Sequence, residues 1–259
     1  MISLEKRLIS RILGQLLDCQ VCLLCGQTLW QEQGRLPAWL SKNTGQPAWD
    51  LSQLTSWLCP SCLARLPLHT EGWQRLPGSG IPLAFVFTYE DPIRQAFLNL
   101  KFSGQRLAAD LLARAAAFRL KQLGYCPQGL IPLPLGSRRL KERGYNQATL
   151  ICRSLAPLIG AEVLDSCLIR VRETPPQTRM PSAAARWANV RGAFALHPGF
   201  DVRSWRTRPL LLIDDIFTSG ASLGEGARLV WQAQLPVRAL ALGQDLFSPS
   251  LTQKSVNTL

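Results

Sequence analysis

The length, composition and charge of the chain set the first limits on what it can be. Its 259 residues suffice for one large domain, or for a domain with a small module, and 47% apolar residues exclude global disorder. A net charge of +12 and a pI of about 9.9 predict anionic partners such as phosphates or nucleic acid.

No apolar run reaches the ~20 residues that a membrane span needs. Residues 1–18 lack a continuous apolar core and a small-residue cleavage site, so they do not form a secretory signal. We therefore expect a cytoplasmic protein, in which eight cysteines are more typical of metal binding or free thiols than of disulfides.

Residues 4–17 place leucines and isoleucines on one helical face. A helix packed on its own domain shows this pattern, and so does a helix lying on a membrane surface; we favour the packed helix.

Two C-x2-C pairs follow, Cys22/Cys25 and Cys59/Cys62. Two such pairs can surround one Zn²⁺ tetrahedrally, and a small module of this kind depends on the metal for folding. Cys19 and Cys22 also have the C-x2-C spacing, but Gly26 directly after Cys25 suits a tight turn, so we favour Cys22/Cys25. The alternative is four thiols without a metal.

Residues 73–80 form a Gly/Pro-rich connector, and we expect a second domain from about Ile81. Its first elements are a strand over 83–89, a helix from Asp91-Pro92 to about Lys101, a helix over 107–123 and a short strand over 129–135.

A basic segment follows that strand, and a helix runs from it to about Ile159. Its cations are Arg138, Arg139, Lys141 and Arg143. Such a run is usually a solvated helix face, but just beyond a strand of a phosphate-binding fold it can neutralise a pyrophosphate.

A proline-rich segment over 172–182 interrupts regular structure after a possible strand at 164–171. This segment and the residues after it carry Arg172, Gln177, Arg186 and Asn189. A long polar loop in a compact domain is often functional, so we interpret it as a lid over a bound substrate, with a mobile surface loop as the alternative.

Residues 209–223 carry the strongest functional signal in the chain. An apolar strand over 210–213 leads into Asp214 and Asp215, then a small-residue turn formed by Thr218, Ser219, Gly220, Ala221 and Ser222. Ser222 and Glu225 match a capping box, which predicts a helix from there. A helix start at the carboxyl end of a strand suits a phosphate, and the loop lacks both the Walker lysine and the GxGxxG spacing. A last strand is expected over 237–242.

Residues 211–222 resemble the phosphoribosyl-pyrophosphate (PRPP) signature of type I phosphoribosyltransferases. By resemblance, Asp214 and Asp215 hold the ribose hydroxyls and residues 218–222 hold the 5′-phosphate. The order of parts resembles the ComF family, which joins a four-cysteine zinc module to such a domain. That resemblance rests on both cysteine pairs, Leu100-Lys101-Phe102 with Gly104, Pro132-Leu-Pro with residues 143–148, Thr174 with Gln177, residues 186–194 and residues 214–222.

The resemblance implies an α/β fold of the type I phosphoribosyltransferase class: residues 1–75 with structural Zn²⁺, a phosphoribosyltransferase-like domain over 81–247 and a flexible tail over 248–259. It also implies Mg²⁺-dependent PRPP binding and a role in natural transformation, with competence-machinery proteins as partners.

The first function that this resemblance suggests is an enzyme that transfers a phosphoribosyl group. Two alternatives remain open. One is a single-stranded DNA-binding protein on the same fold, using the basic stretch 131–191, where ten Arg/Lys face four Asp/Glu, with Tyr145 and Trp187 for stacking. The other is a PRPP-sensing regulator, since fold does not fix function.

Overall fold

The computed structural model describes residues 20–29, 54, 57–102, 106–175 and 180–246. The predicted helix over 4–17, Cys19, Gly104, Gln177 and the tail over 248–259 lie outside these residues.

A six-stranded sheet forms the centre of the described part. Its strands are β3 (Gln74–Arg75), β4 (Pro82–Thr88), β5 (Gly129–Pro132), β6 (Glu162–Val163), β9 (Leu210–Phe217) and β10 (Val237–Gln244). The order is β3-β4-β10-β9-β5-β6, and all neighbours are parallel except β3 with β4. The last strand in sequence thus lies between β4 and β9, where its apolar residues 239–242 are fully buried.

Helices cover both faces of this sheet. They are α2 (Arg94–Phe102), α3 (Arg106–Gln122), α4 (Ser137–Arg143), α5 (Gln147–Ile159), α6 (Ala183–Val190) and α7 (Ala221–Gln232). Leu211 and Ile213 of β9 face the cluster formed with α2, α3 and α5, whereas Leu210 and Leu212 face the cluster that includes α7. The chain is therefore a mixed α/β protein with a mostly parallel sheet, as predicted.

The cysteine-bearing segment packs directly on this α/β layer. It contains β1 (Gln20–Val21), β2 (Thr28–Leu29) and α1 (Pro60–Ala64). Leu58 and Leu63 belong to the same buried cluster as Phe97 and Leu112. The connector at 73–80 is not irregular throughout, because β3 pairs within it against β4. The domain boundary near Ile81 stays a prediction.

Three element boundaries differ from the sequence prediction. Helix α2 begins at Arg94 rather than at Asp91-Pro92. The segment 164–171 forms only a short strand, β7 (Leu168–Arg170), which pairs with β8 (Phe194–Leu196) in a separate antiparallel sheet. The basic segment after β5 is itself a helix, α4, because Gly144 at φ 77 ends it before α5 begins.

Candidate functional site

The acidic pair lies at an opening along the central strand. β9 does not end at Ile213 as predicted but runs to Phe217, because β10 continues to pair with it as far as Gln244. Its other neighbour, β5, stops at Pro132, opposite Ile213. Asp214 and Asp215 therefore follow directly after the point where one neighbour is lost, at the carboxyl ends of the strands, where open α/β sheets bind ligands.

The two carboxylates have different environments. Burial, and then the charge of Asp215, raise the pKa of Asp214 to about 8. The Asp215 Oδ2 atom lies 3.7 Å from Nζ of Lys101 on α2. The pair thus combines a carboxyl group that binds its proton tightly with one that lies within ion-pair distance of a lysine.

The turn after β9 leaves the start of α7 open. Helix α7 begins at Ala221, and its N-cap is Gly220 at φ 74, without a side-chain capping bond. The predicted capping box is therefore wrong: Ser222 lies inside the helix. Glu225 instead accepts from the Gly192 amide at 2.9 Å and pairs with Arg228 at 2.8 Å. A glycine N-cap leaves the first amide groups of the helix available to an anion.

Helix α4 contributes two of its four cations to the same cavity. Arg139 and Arg143 line it. Arg138 and Lys141 are exposed and outside the lining, and Arg138 Nε donates to Glu142 at 2.9 Å. Two cations of the basic segment thus line the cavity, and the other two lie on a solvated helix face. Each of the two interpretations made from the sequence therefore applies to part of the segment.

The turn between α4 and α5 is fixed by three polar contacts. The Tyr145 hydroxyl donates to the Leu100 carbonyl at 2.5 Å, and Asn146 Nδ2 donates to the Leu133 carbonyl at 2.9 Å. Asn146 Oδ1 also caps α5 by accepting from the Ala148 amide at 3.1 Å. These contacts hold the end of α4 against both β5 and α2, and Arg143 at that end lines the same cavity as Lys101.

The predicted lid residues take several roles. Arg186 lines the cavity. Arg172 donates instead to the carbonyls of Asn189 and Arg191 at 3.0 and 2.7 Å, and Asn189 Nδ2 donates to Pro175 at 3.0 Å. The side chains of these two residues therefore form hydrogen bonds within the segment 172–191.

Helix α6 was missed within this segment, although Ser182 caps it by accepting from the Ala185 amide at 3.1 Å. Trp187 of α6 packs so closely on Gly78 and Gly224 that an added Cβ would lie 2.9 and 2.3 Å from its ring. This packing attaches α6 to α7. The ring is partly exposed, and its packing on the two glycines fixes its position.

Sequence reasoning also missed cavity residues that come from distant segments. Lys101 and Gln147 were noted only as members of family motifs, whereas Arg170 of β7 was not considered. Gln147 is 2% exposed, and its Nε2 atom has no hydrogen-bond partner among the described residues. Arg170 donates to the Thr174 hydroxyl and lies over the Phe194 ring at 5.1 Å.

Together these groups enclose a cavity of about 430 Å³, which is within the usual range for a small-molecule site. Its charged lining residues are Lys101, Arg139, Arg143, Arg170, Arg186, Asp214, Asp215 and Asp245. Five cations face three carboxylates, one of them mostly protonated at neutral pH, so the cavity favours an anionic ligand that also offers hydroxyl donors.

The four predicted cysteines form a second site on the opposite side of α2. All four Sγ atoms, of Cys22, Cys25, Cys59 and Cys62, lie within 4.8 Å of one another, and Cys25 and Cys59 are 3.7 Å apart. Gly26 adopts φ 74, and its amide donates to the Cys22 carbonyl at 2.8 Å, which is the tight turn expected after the first pair.

The thiols of this cluster influence each other's protonation. A hydrogen bond from Cys62 lowers the pKa of Cys22, and the same contact raises that of Cys62, while burial raises the pKa of Cys25. One thiolate is therefore favoured, and further ionisation needs a cation. A tetrahedral metal such as Zn²⁺ fits this donor set.

Similar proteins share this sequence over most of its length. No protein-family model matches the chain. Competence protein F of Haemophilus influenzae is 30% identical over 178 residues, which are 66% of this chain and 71% of that protein. The chain belongs to the ComF family.

Two further relatives extend the match across this ComF-family chain. DNA utilization protein YhgH of Salmonella typhi is 29% identical over 215 residues, covering 81% of the chain and 83% of YhgH. Competence protein ComFC of Streptococcus pneumoniae is 27% identical over 224 residues, covering 82% of the chain and 94% of ComFC. Among the described residues, no helix is both long and apolar enough to cross a membrane.

Proposed function

We propose that this ComF-family protein has the type I phosphoribosyltransferase fold and binds PRPP in the cavity at the carboxyl end of β9. The observation that carries the proposal is the arrangement of an acidic pair beside an open helix N-terminus, with arginines on the facing wall. PRPP has a phosphate at one end, a pyrophosphate at the other and ribose hydroxyls between them, so it matches all three groups.

In this assignment residues 218–222 receive the 5′-phosphate through the amide groups at the start of α7. Asp215 accepts from the ribose hydroxyls, and Asp214 adds an acceptor and a proton beside it. Arg139 and Arg143 receive the pyrophosphate, with Lys101 and Arg186 as further cations at the cavity wall.

The reaction consistent with this arrangement is transfer of the phosphoribosyl group. The bond from the anomeric carbon to pyrophosphate oxygen breaks, an acceptor forms a new bond to that carbon, and pyrophosphate leaves with the electron pair. The ionised carboxylate of Asp215 stabilises positive charge that develops on the ribose ring, and the arginines stabilise the leaving group. Helix α6, through Arg186, limits access of water from the side of the predicted lid.

Two metals accompany this proposal. Mg²⁺ would neutralise charge on PRPP and on the departing pyrophosphate, and the carboxylate oxygens of Asp214 and Asp215 offer the hard ligands that this ion prefers. Structural Zn²⁺ would be held by Cys22, Cys25, Cys59 and Cys62.

The names of the relatives suggest the process in which the protein acts. Because those proteins are named for competence and DNA utilization, we propose that this chain also handles incoming single-stranded DNA during natural transformation, in the cytoplasm. Its net charge of +12 is consistent with such a partner.

Isothermal titration with PRPP and MgCl₂ tests the cavity assignment. Asp215→Asn should weaken binding about 10–100-fold, since charge-assisted hydrogen bonds contribute about 1.5–3 kcal/mol. Asp214→Asn should weaken it about 2–10-fold, since the raised pKa of Asp214 favours a neutral carboxyl group and a neutral hydrogen bond contributes about 0.5–1.5 kcal/mol. Arg153→Gln, which alters an exposed ion pair with Asp165, is the matched surface control. Binding by both aspartate variants as tight as that of wild type would refute the site.

A second candidate is a protein that binds PRPP or DNA without turnover. The absence of an evident general base in the sequence favours it. Release of pyrophosphate from PRPP in the presence of nucleobases or amines distinguishes the two: turnover establishes the transferase, whereas tight PRPP binding without release supports the sensor.

A further inference from the structure

A group of arginines and aromatic rings lies at the amino-terminal ends of the sheet strands, at the end of the sheet opposite the cavity. Strands β5, β9 and β10 begin together there, because Gly129 and Val237 both pair with Leu210. We call this region the amino-edge surface. Its members are Arg203, Arg206, Arg208, Arg238, Trp73 and Tyr125.

Arg238 is held between two aromatic rings. Its guanidinium carbon lies 4.7 Å from the centre of the Trp73 ring and 4.4 Å from that of Tyr125. Both rings and the arginine are partly exposed, and within the described part of the chain no carboxylate pairs with this guanidinium. The rings restrict its motion and leave its N–H donors available.

Arg208 is held in a similar way on the other face of the same edge. Its guanidinium lies 3.7 Å from the centre of the Trp205 ring, and its Nε donates to Gln128 Oε1 at 2.9 Å. The Gln128 amide donates to Pro209 at 2.8 Å, and the Tyr125 hydroxyl donates to Leu210 at 2.8 Å. The segment 125–128 therefore connects the two arginine–aromatic pairs into one continuous surface.

Two more cations extend this surface at the 3₁₀ turn Arg203–Trp205. Arg203 and Arg206 are exposed. The neighbouring acid, Asp201, is already engaged: its Oδ1 accepts from the Arg203 amide at 3.1 Å and its Oδ2 accepts from the Ser204 hydroxyl at 2.5 Å. Glu162 on β6 is a second acid near this edge, opposite Gly129, so four arginines face two carboxylates.

We propose that the amino-edge surface binds the sugar-phosphate backbone of single-stranded DNA. Planar guanidinium groups fixed by rings form bidentate bonds to phosphate with little loss of side-chain freedom. The partly exposed rings of Trp73 and Tyr125 offer stacking faces for unpaired bases, which a duplex does not present. The proposal rests on the DNA-handling part of the proposed function.

The arginines favour this location over the basic stretch 131–191. The aromatic residues of that stretch, Tyr145 and Trp187, are partly exposed, but one is bonded to Leu100 and the other packs on two glycines. At the amino-edge surface, Arg208 and Arg238 lie directly over aromatic rings that hold their guanidinium groups in place. DNA and PRPP would then bind at opposite ends of the sheet, without competing.

Fluorescence anisotropy with labelled oligo(dT), at several salt concentrations, tests the proposal on the full chain. The test variant is Arg208→Gln/Arg238→Gln. The control is Arg138→Gln/Lys141→Gln, which removes two exposed charges from α4. Losing two phosphate contacts should reduce the slope of log K against log salt by about 1.4, hence affinity at 0.1 M salt by about 25-fold. The control pair should bind as wild type does.

The outcomes distinguish a wrongly assigned DNA-binding surface from a protein that does not bind DNA at all. If wild type binds oligo(dT) and the amino-edge variant binds equally well while keeping its unfolding midpoint, the surface is wrongly assigned. If wild type binds no oligo(dT) but binds PRPP, DNA handling itself is refuted. Tighter binding of duplex than of oligo(dT) would also refute the single-strand assignment. Arg238→Lys keeps the charge but not the planar guanidinium group, so its affinity for oligo(dT) should fall with little change in the slope of log K against log salt. This variant tests the surface even if the double variant unfolds.

Discussion

The carboxyl group of Asp214 makes the stability of the ligand-free protein depend on pH. Its pKa rises from 3.8 to about 8 in the folded state, so the folded chain binds the proton more tightly than the unfolded chain does. The stabilisation is complete below pH 3.8 and is lost as the pH rises towards 8. The change Asp214→Asn removes this titration while keeping the size of the side chain.

The magnitude follows from the size of the shift. Each pH unit between the two pKa values corresponds to about 1.4 kcal/mol, which sets an upper limit of about 6 kcal/mol. Because Asp214 borders an open cavity, solvent reduces this, and we expect about 2–4 kcal/mol. Asp214→Asn should therefore be more stable than wild type by that amount at pH 8.5, but by only about 1 kcal/mol at pH 4.5, which lies just above the unfolded pKa.

Urea unfolding at pH 4.5, 6.5 and 8.5, without PRPP or divalent ions, measures this difference. Asp165→Asn is the control, since Asp165 forms an exposed ion pair with Arg153 and loss of its charge should give no added stability at high pH. A constant difference between wild type and Asp214→Asn across the three pH values would show that Asp214 does not titrate in this range. Added stability together with lost PRPP binding would show a trade of stability for function.

Close contacts elsewhere set three further expectations. Gly224→Ala places a Cβ 2.3 Å from the Trp187 ring, so the free energy of unfolding should fall by about 1–3 kcal/mol and the native tryptophan emission should be lost. In Gly72→Ala the added Cβ has no atom within 4 Å, so neither quantity should change. Cys59→Ser should abolish binding of one equivalent of Zn²⁺ and lower the Tm, whereas Cys126→Ser, at an exposed thiol, should do neither. Tyr145→Phe should lower the unfolding free energy by about 1 kcal/mol, measured in urea; an unchanged midpoint would contradict its bond to Leu100.

Local patterns predicted the central strand and the small turn after it, because an apolar run followed by small polar residues is compatible with few other structures. The limits of these elements depend on partners that are distant in sequence. β9 extends past Asp215 because β10 continues beside it, and Glu225 leaves the expected capping position because Gly192 and Arg228 offer better contacts. A capping motif is a local preference, and the tertiary contacts outweigh it here.

The parts of the cavity that the sequence left out are those that long-range packing brings together. Lys101 is 114 residues before Asp215 in the chain, and no periodicity connects them. Helix α6 was hidden by the prolines before it, although Ser182 and the alanines that follow are a normal helix start. By contrast, the choice of Cys22/Cys25 needed only the local turn at Gly26.

Helix α2 connects the two sites in physical terms. Asn99 Nδ2 donates to the Leu23 carbonyl, inside the first cysteine turn, at 3.2 Å, while the Leu100 carbonyl accepts from Tyr145 and Lys101 faces Asp215. Three consecutive residues thus join the cysteine cluster, the turn that follows Arg143 and the acidic pair. Because a helix of nine residues moves largely as a unit, we expect a displacement of the cysteine cluster to shift Lys101 in the cavity as well. The cysteine-bearing segment is therefore part of the framework of the anion site as well as a stabilising module.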